Sequence, residues 1–350
     1  MIQQKIFVVI LVVTHLVSPA AKSADKPAEY HFSHENILGT SLDLRVAAEN
    51  LNSARLAESA VLASIERQAK VYSTYDASSE LSRLQQRPVG EAVRASAGLR
   101  RMLSHSQLWN ERTAGAFDVR IESLSRLWSN ASKTGQMPTH SEIQGVLAKI
   151  GRTQLLVDDE AETIKRTGDA PITFNAIATG TIIDEACREV LAGGYGVFGL
   201  MIDIGGDIRV AGEMESLIGV AHPRGTSENA APIARLKLKN QAVTTSGDLF
   251  KGFVISGKQF SHIIDPVTGR PVENVTSATV IAPTAEDADA LATAFNVMPA
   301  EKSIALADSL EGVACLMVTA DGRLLVSRDW ARYTTGGSGF GNLLTMAMTG

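Results

Sequence analysis

Between residues 39 and 47 (GTSLDLRVA), Leu42, Leu44 and Val46 alternate with other positions, the period of a half-buried strand. The period then changes. Within 53–70, Leu56, Ala60, Val61, Ser64 and Ile65 recur at helical spacing, and within 93–112 Leu99, Met102, Leu103 and Trp109 do the same. Asp158-Asp159-Glu160 reads as a hairpin turn between RTQLLV and ETIKR, and TGTIIDEACREVLAGG (179–194) as a helix ending at paired glycines. Strand patterns dominate from there: GLMIDIG, DIRVAG, SLIGVAH, IARLKLK, KGFVISG, FSHIID and SATVIAP follow one another, before a helix at 286–298. Strands in series with short turns pair as antiparallel neighbours. The expected class is therefore α+β, a largely antiparallel sheet core flanked by helices, and not a wound βαβ sheet.

Composition narrows this picture. The 350 residues are 45% hydrophobic and 20% charged, ordinary for a globular chain, which excludes a disordered or fibrous reading. Net charge is −5 and the lysines and arginines are dispersed, so nucleic acid is not an expected partner. The first residues, MIQQKIFVVILVVTHLVSPAAKSADK, place Lys5 ahead of an apolar run from Ile6 to Leu16, with Ala21 and Ser23 at cleavage-site spacing. Residues 1–23 are expected to be an export signal cut near Ser23 and Ala24, followed by one domain over 24–335 and a Gly-rich tail over 336–350. The apolar run is short for a membrane span, and no later segment approaches ~20 apolar residues. The mature chain is thus expected to be soluble, and no cysteine stands near the cleavage site to carry a lipid. Cys187 and Cys315 fall inside apolar elements, so buried free thiols are expected over a disulfide.

Several stretches carry polar groups where packing alone does not ask for them. In TAEDADALATAF (284–295), with Thr284 as the cap, Asp289 and Thr293 are four apart and share one helix face. A carboxylate and a hydroxyl on a rigid helix suit Mg²⁺, which takes one or two protein carboxylates and completes its shell with water and phosphate. The competing reading is that Glu286, Asp287 and Asp289 complement the helix dipole, with Thr284 and Asp287 as a capping pair. FNAIATGTIIDEA (174–186) is a small-residue turn into a helix whose free N–H groups could receive a phosphate. Gly205-Gly206 is either a hairpin turn or a close backbone approach to a ligand. Gly-Ala-Phe-Asp (115–118) and the Thr-Ser-Gly of 242–250 are each compatible with capping alone. In SHIIDPVTGRP (261–271), His262 and Asp265 interrupt a run of strand formers that ends in turn chemistry.

Taken in order, LGT at 38–40, STYDASSELSRL at 73–84, GAFD, IATG followed by Asp184, IGGDI, TTSGD, SHIIDPVTGRP and DALATA resemble the FAD:protein FMN transferase family, the ApbE family, from about residue 34 to residue 330. The resemblance implies a T-fold-like α+β architecture, FAD as substrate, and Mg²⁺ at its pyrophosphate. It implies transfer of FMN through a phosphoester bond to a threonine or serine of another exported protein, with release of AMP. By motif match, the Mg²⁺ ligands would be Asp289, Thr293 and the backbone carbonyl of Ala176. FAD contacts would fall at Leu38, Tyr75, Ala116, Phe117, Asp118, Thr173, Thr179 and Ile264. His262 would be the general base toward the acceptor hydroxyl, a role suited to an imidazole. Asp265 would orient His262 or cap the Pro266-x-Thr268-Gly269 turn, and the turn is the expected role. The chain has no Asp-x-x-Ser/Thr-Gly-Ala-Thr/Ser segment, so the acceptor is expected to be a separate periplasmic redox or electron-transfer flavoprotein.

One stretch departs from the family pattern. Where the family reads Asp-Leu-x-x-Ile-Ala-Lys-Gly-Tyr, this chain has threonine for the acid (Thr173), for the lysine (Thr179) and for the tyrosine (Thr181). Charge beside a pyrophosphate affects transition-state stabilisation. Two alternatives to the transferase therefore stay open: hydrolysis of FAD to FMN and AMP, and a catalytically weak FAD-binding protein.

Overall fold

The computed structural model describes residues 27–223, 231–247 and 252–335. The expected signal, the Gly-rich tail and Asp248 of TTSGD lie outside the described residues. The chain opens with β1 (Ala28–Ile37) and β2 (Thr40–Ala48), then α1 (Leu51–Tyr72) and α2 (Glu80–Gln86). After β3 (Ala92–Arg94) come α3 (Ala97–Arg112), α4 (Glu122–Thr134) and α5 (His140–Arg152), with β4 (Leu155–Asp158) and β5 (Thr163–Arg166) joining β3 in a small sheet. From α6 (Ala178–Ala192) the chain runs through β6 (Val197–Ile204), β7 (Asp207–Gly212), the hairpin β8 (Ser216–Val220) and β9 (Ala234–Leu238), and β10 (Gln241–Gly247). A second hairpin, β11 (Gly252–Ile255) and β12 (Lys258–Ser261), precedes β13 (Val275–Ala282), α7 (Ala285–Val297), α8 (Ala300–Ser309), β14 (Ala314–Thr319) and β15 (Leu324–Val326).

The main sheet orders β1, β2, β6, β7, β10, β13, β14 and β15 side by side, which is chain order, and every pairing is antiparallel. This is the α+β class that the strand series implies. Period-two alternation gives the sheet two apolar faces. Leu42, Leu44 and Val46 of β2, with Ile202 and Val280, pack beneath α1, α3, α6 and α7. Met201, Val210, Val243 and Ile281 face the other way, covered by the β8–β9 hairpin and Trp330. Cys187 and Cys315 are buried free thiols on this framework. Among the described residues, no helix is long and apolar enough to cross a membrane.

A third cluster lies apart from the sheet. Leu124 and Trp128 of α4, Ile143 of α5, Ile255 of β11 and Ile264 pack together. Trp128 Nε1 donates to Gly269 O at 2.8 Å, and its ring lies 5.7 Å from that of Phe260. This cluster corrects the reading of FSHIID as a strand. β12 stops at Ser261, and Ile264 makes only an isolated bridge to Pro271. The reason is that Ile263 and Ile264 are both buried, at 6% and 2% exposure, which alternation along a strand over one core forbids. Asp265 then starts a turn that Pro266 favours, with Gly269 N donating to Asp265 O at 2.8 Å.

Two helices meet with almost no space between their backbones. A Cβ at Gly180 of α6 would stand 2.2 Å from Ala285 O of α7. Four residues on, Asp184 caps α7 from outside: its Oδ1 accepts from Ala285 N at 3.0 Å and its Oδ2 from Glu286 N at 2.9 Å. Burial pushes the Asp184 carboxyl up to about 6, against the pull of those two N–H bonds. Gly180→Ala should therefore destabilise by about 1–3 kcal/mol, the cost of overpacking. Gly145→Ala, in α5 with nothing within 4 Å of its new Cβ, should stabilise by roughly 0.5–1 kcal/mol. Chemical denaturation of the two variants checks both, and equal signs would remove the close contact from the account.

Candidate functional site

A cleft of about 620 Å³ opens where the end of β12, the 173–176 segment, α4, α7 and the ends of β7 and β10 converge, a volume typical of sites for small organic ligands. Asp289 and Thr293 face it from α7, as their spacing requires, and Ala176 lines it from the segment ahead of α6. Asp207, which follows the Gly205-Gly206 turn, lines the same region. Asp289 is 6% exposed, and its Oδ2 has Gly180 N at 3.4 Å. Burial first, and then the charge of Asp207, push the Asp289 carboxyl well above the usual carboxylate range. Two mutually repelling carboxylates, a hydroxyl and a carbonyl are hard oxygen donors whose charge a divalent cation would balance. Donors of this kind suit a hard cation that completes its shell with water, as Mg²⁺ does, and among the described residues they are not joined by a group of three or more His, Cys, Asp or Glu.

Glu286 and Asp287 have another task. Thr284 caps α7, accepting from Asp287 N at 3.1 Å and donating to Asp287 Oδ2 at 2.6 Å, which is the capping pair read from the sequence. Both acids are gripped by α3: Arg101 Nη1 donates to Glu286 at 2.8 Å, Trp109 Nε1 to Asp287 at 3.0 Å, and His105 bridges the two carboxylates. Burial alone would lower the His105 pKa, but its bonds to Asp287 and Glu286 win and raise it to about 9. The same bonds hold both carboxyls below their ordinary range despite burial.

The opposite wall comes from GAFD and α4. Ala114 and Gly115 take φ of +52° and +86°, a reversal for which the glycine is suited, and Thr113 Oγ1 accepts from Phe117 N at 3.0 Å. Ala116 and Phe117 line the cleft from this turn. Asp118 lines it too, yet its carboxylate is filled by the Arg120 guanidinium, Nε to Oδ1 at 2.8 Å and Nη2 to Oδ2 at 2.7 Å. That ion pair makes Asp118 a brace for the wall while it remains in the lining of the cleft. Tyr75 stands at the mouth with 84% exposure, its hydroxyl accepting from Asn175 Nδ2 at 3.0 Å.

His262 enters the cleft from the bend after β12, with Ile264 beside it. The Asp265 carboxylate accepts from Val267 N and Thr268 Oγ1, both at 2.8 Å, the turn-capping role. Thr173 lines the cleft, whereas Leu38 and Thr179 stand outside its lining. Leu38 sits in the β1–β2 turn at φ +50° and 41% exposure, and Thr179 belongs to the first turn of α6. Thr181 is buried and spends its hydroxyl on Ile177 O at 3.0 Å. Sequence reasoning missed the α4 face, where Glu122, Ser125, Arg126, Ser129, Asn130 and Lys133 line the cleft. Their helical spacing was available, but it matches an ordinary solvated face. Sequence reasoning also named no role for Asp207 or Thr244, which it read only as members of the IGGDI and TTSGD stretches.

These features define an α+β domain with a cleft lined by hydroxyls and paired carboxylates, entered by a histidine from a separate turn. Residues 38–317 match the ApbE family model, and the chain belongs to the ApbE family. It is 30% identical over 263 residues to the FAD:protein FMN transferase of Haemophilus influenzae, covering 71% of this chain and 74% of that one. The FAD:protein FMN transferase of Vibrio cholerae is 28% identical over 308 residues, 85% of this chain and 90% of its own. The crystal structure of the ApbE protein from Thermotoga maritima matches with a TM-score of 0.78 at 28% identity, covering 88% of this chain and 100% of that one. These curated relatives are transferases by name.

The α3–α7 grip makes stability depend on pH. The folded His105 titrates near 9 against an ordinary 6.5, so its contribution is fully present below about 6.5 and is lost as pH rises through about 9. With solvent screening at this half-buried site, the loss should be of order 1–2 kcal/mol. Denaturation of the wild type and His105→Gln across that window checks it: the wild type should lose more stability, and parallel curves would show that the grip carries no linkage.

Proposed function

We propose that the chain is a periplasmic, Mg²⁺-dependent FAD:protein FMN transferase, acting on a threonine or serine of a separate flavoprotein. The observation that carries this reading is that His262, Tyr75, Ala176, Asp289 and Thr293, drawn from four segments of the chain, line one cleft. Asp289, Thr293 and the Ala176 carbonyl would hold the Mg²⁺, whose charge would offset that of the pyrophosphate. Tyr75, Ala116, Phe117, Asp118, Thr173 and Ile264, which line the cleft, are the proposed contacts of FAD. The exposed ring of Tyr75 is free to cover an aromatic face at the mouth.

In this reading FAD lies with its pyrophosphate toward α7 and His262. His262 accepts the proton of the acceptor hydroxyl, the oxygen attacks the FMN phosphorus, and the bond from that phosphorus to the bridging oxygen of the pyrophosphate breaks. AMP leaves with the electron pair, and FMN remains joined to the acceptor by a phosphoester bond. Thr173 puts a neutral hydroxyl where the family has an acid, so Asp207 and Asp289 supply the carboxylate charge of the cleft floor. A second reading, hydrolysis of FAD with water as acceptor, is favoured only by the openness of the mouth at Tyr75.

AMP release from FAD and Mg²⁺, measured with and without an acceptor protein, separates the readings: release that requires the acceptor supports transfer, and release without it supports hydrolysis. Asp289→Ala should abolish Mg²⁺-dependent turnover with an unchanged far-ultraviolet circular dichroism spectrum, and retained turnover would remove Asp289 from the cation site. His262→Ala should lose ~10²–10⁴-fold in rate while keeping FAD affinity. A matching loss of affinity would instead make His262 a ligand contact.

A further inference from the structure

Five buried side-chain polar atoms among the described residues lack a hydrogen-bond partner, on Ser64, Gln241, Thr244, Asn296 and Trp330. Of these residues, Thr244 alone lines the cleft. It is 4% exposed, and a buried hydroxyl left unbonded costs about 1–3 kcal/mol. Valine has the same shape and would spare that cost. The position is a β10 residue flanked on the same face by Ala242, which is fully buried, and by Ser246, which lines the cleft. Thr244 therefore stands where the apolar core ends and the cleft begins.

We infer that the Thr244 hydroxyl is a substrate contact, donating a hydrogen bond to an anionic phosphate oxygen of the bound dinucleotide. The inference rests on the transferase reading and adds to it a specificity-determining residue. Pairing register supports the choice of phosphate. Thr244 is directly opposite Asp207 of β7, and opposed residues in an antiparallel pair project to the same face. The hydroxyl is thus beside the carboxylates whose mutual repulsion calls for a cation, and the pyrophosphate is the part of FAD that a cation brings there. The strand is held in place from α7, since Asn296 Nδ2 donates to Ser246 O at 3.0 Å. A donor on a fixed strand meets an anionic oxygen without reorganisation, the condition under which a charge-assisted bond is strongest.

Three proteins test this: the wild type, Thr244→Val and Thr244→Ser, each titrated with FAD and with riboflavin, which lacks phosphate, and each melted without ligand. Thr244→Val should raise the Kd for FAD by ~10–100-fold, the scale of a hydrogen bond to a charged group. Its Kd for riboflavin should equal that of the wild type, and its ligand-free Tm should be unchanged or higher. Thr244→Ser should stay near wild-type FAD affinity. Equal FAD affinity in wild type and Thr244→Val overturns the inference, and so does a parallel loss of riboflavin affinity with a lower Tm, which would mark a packing role. A wild type that binds no FAD overturns the transferase reading as well, and is seen before any variant is compared.

Discussion

The close crossing of α6 and α7 is the constraint on which the cleft depends. Gly180 has no Cβ because Ala285 O occupies the place where one would sit. That contact lets Asp184 reach the free N–H groups of α7 and brings Gly180 N toward the Asp289 carboxylate. A wider crossing would pull Ala176, just ahead of α6, away from Asp289 and Thr293. The α3 side chains complete the arrangement from the other side, so α7 is fixed at its first turn from two directions. Its side chains can then be held against their own repulsion. Asp289 is thereby held buried beside the charge of Asp207, a placement that an isolated carboxylate disfavours.

Much of this was legible in the sequence, and the reasons differ from residue to residue. Asp289 and Thr293 could be read because a helix of known phase puts positions four apart on one face. His262 could be read because a polar residue interrupted an apolar run. The turn at Asp265 followed from Pro-x-Thr-Gly chemistry. The end of β12 at Ser261 could not be seen, because Ile263 and Ile264 are both strand formers, and the burial of Ile264 comes from a third cluster under α4 and α5. The α4 lining was illegible for the opposite reason, since its polar face has the same spacing whether it meets solvent or a ligand.

Asp118 and Thr244 show what register and pairing add. The sequence offered Asp118 as a flavin contact by its place in GAFD, and only the geometry reveals that Arg120 already fills its carboxylate. In one dimension Thr244 is only the first residue of TTSGD, with no role of its own. Its meaning comes from lying opposite Asp207 and from a hydroxyl that the protein leaves unbonded. The three threonines that depart from the family pattern also separate in space: Thr173 meets the cleft, Thr181 serves its own helix, and Thr179 lies outside the lining. Their shared chemistry in the sequence does not amount to a shared role.

The bond from Trp128 Nε1 to Gly269 O ties the His262 turn to the α4–α5 layer and not to the main sheet. Ile264, two residues from His262, packs in the cluster beneath α4 and α5, whereas α7, which carries Asp289, packs on the main sheet, and the cleft is lined from both sides of that seam. Such a seam lets the two halves of a site drift independently under selection. Substitutions among the residues beneath α4 and α5 can shift the segment that carries the histidine and reshape the rim of the cleft, while the carboxylate floor keeps its spacing. A scaffold divided this way can change one wall of the cleft without rebuilding the other.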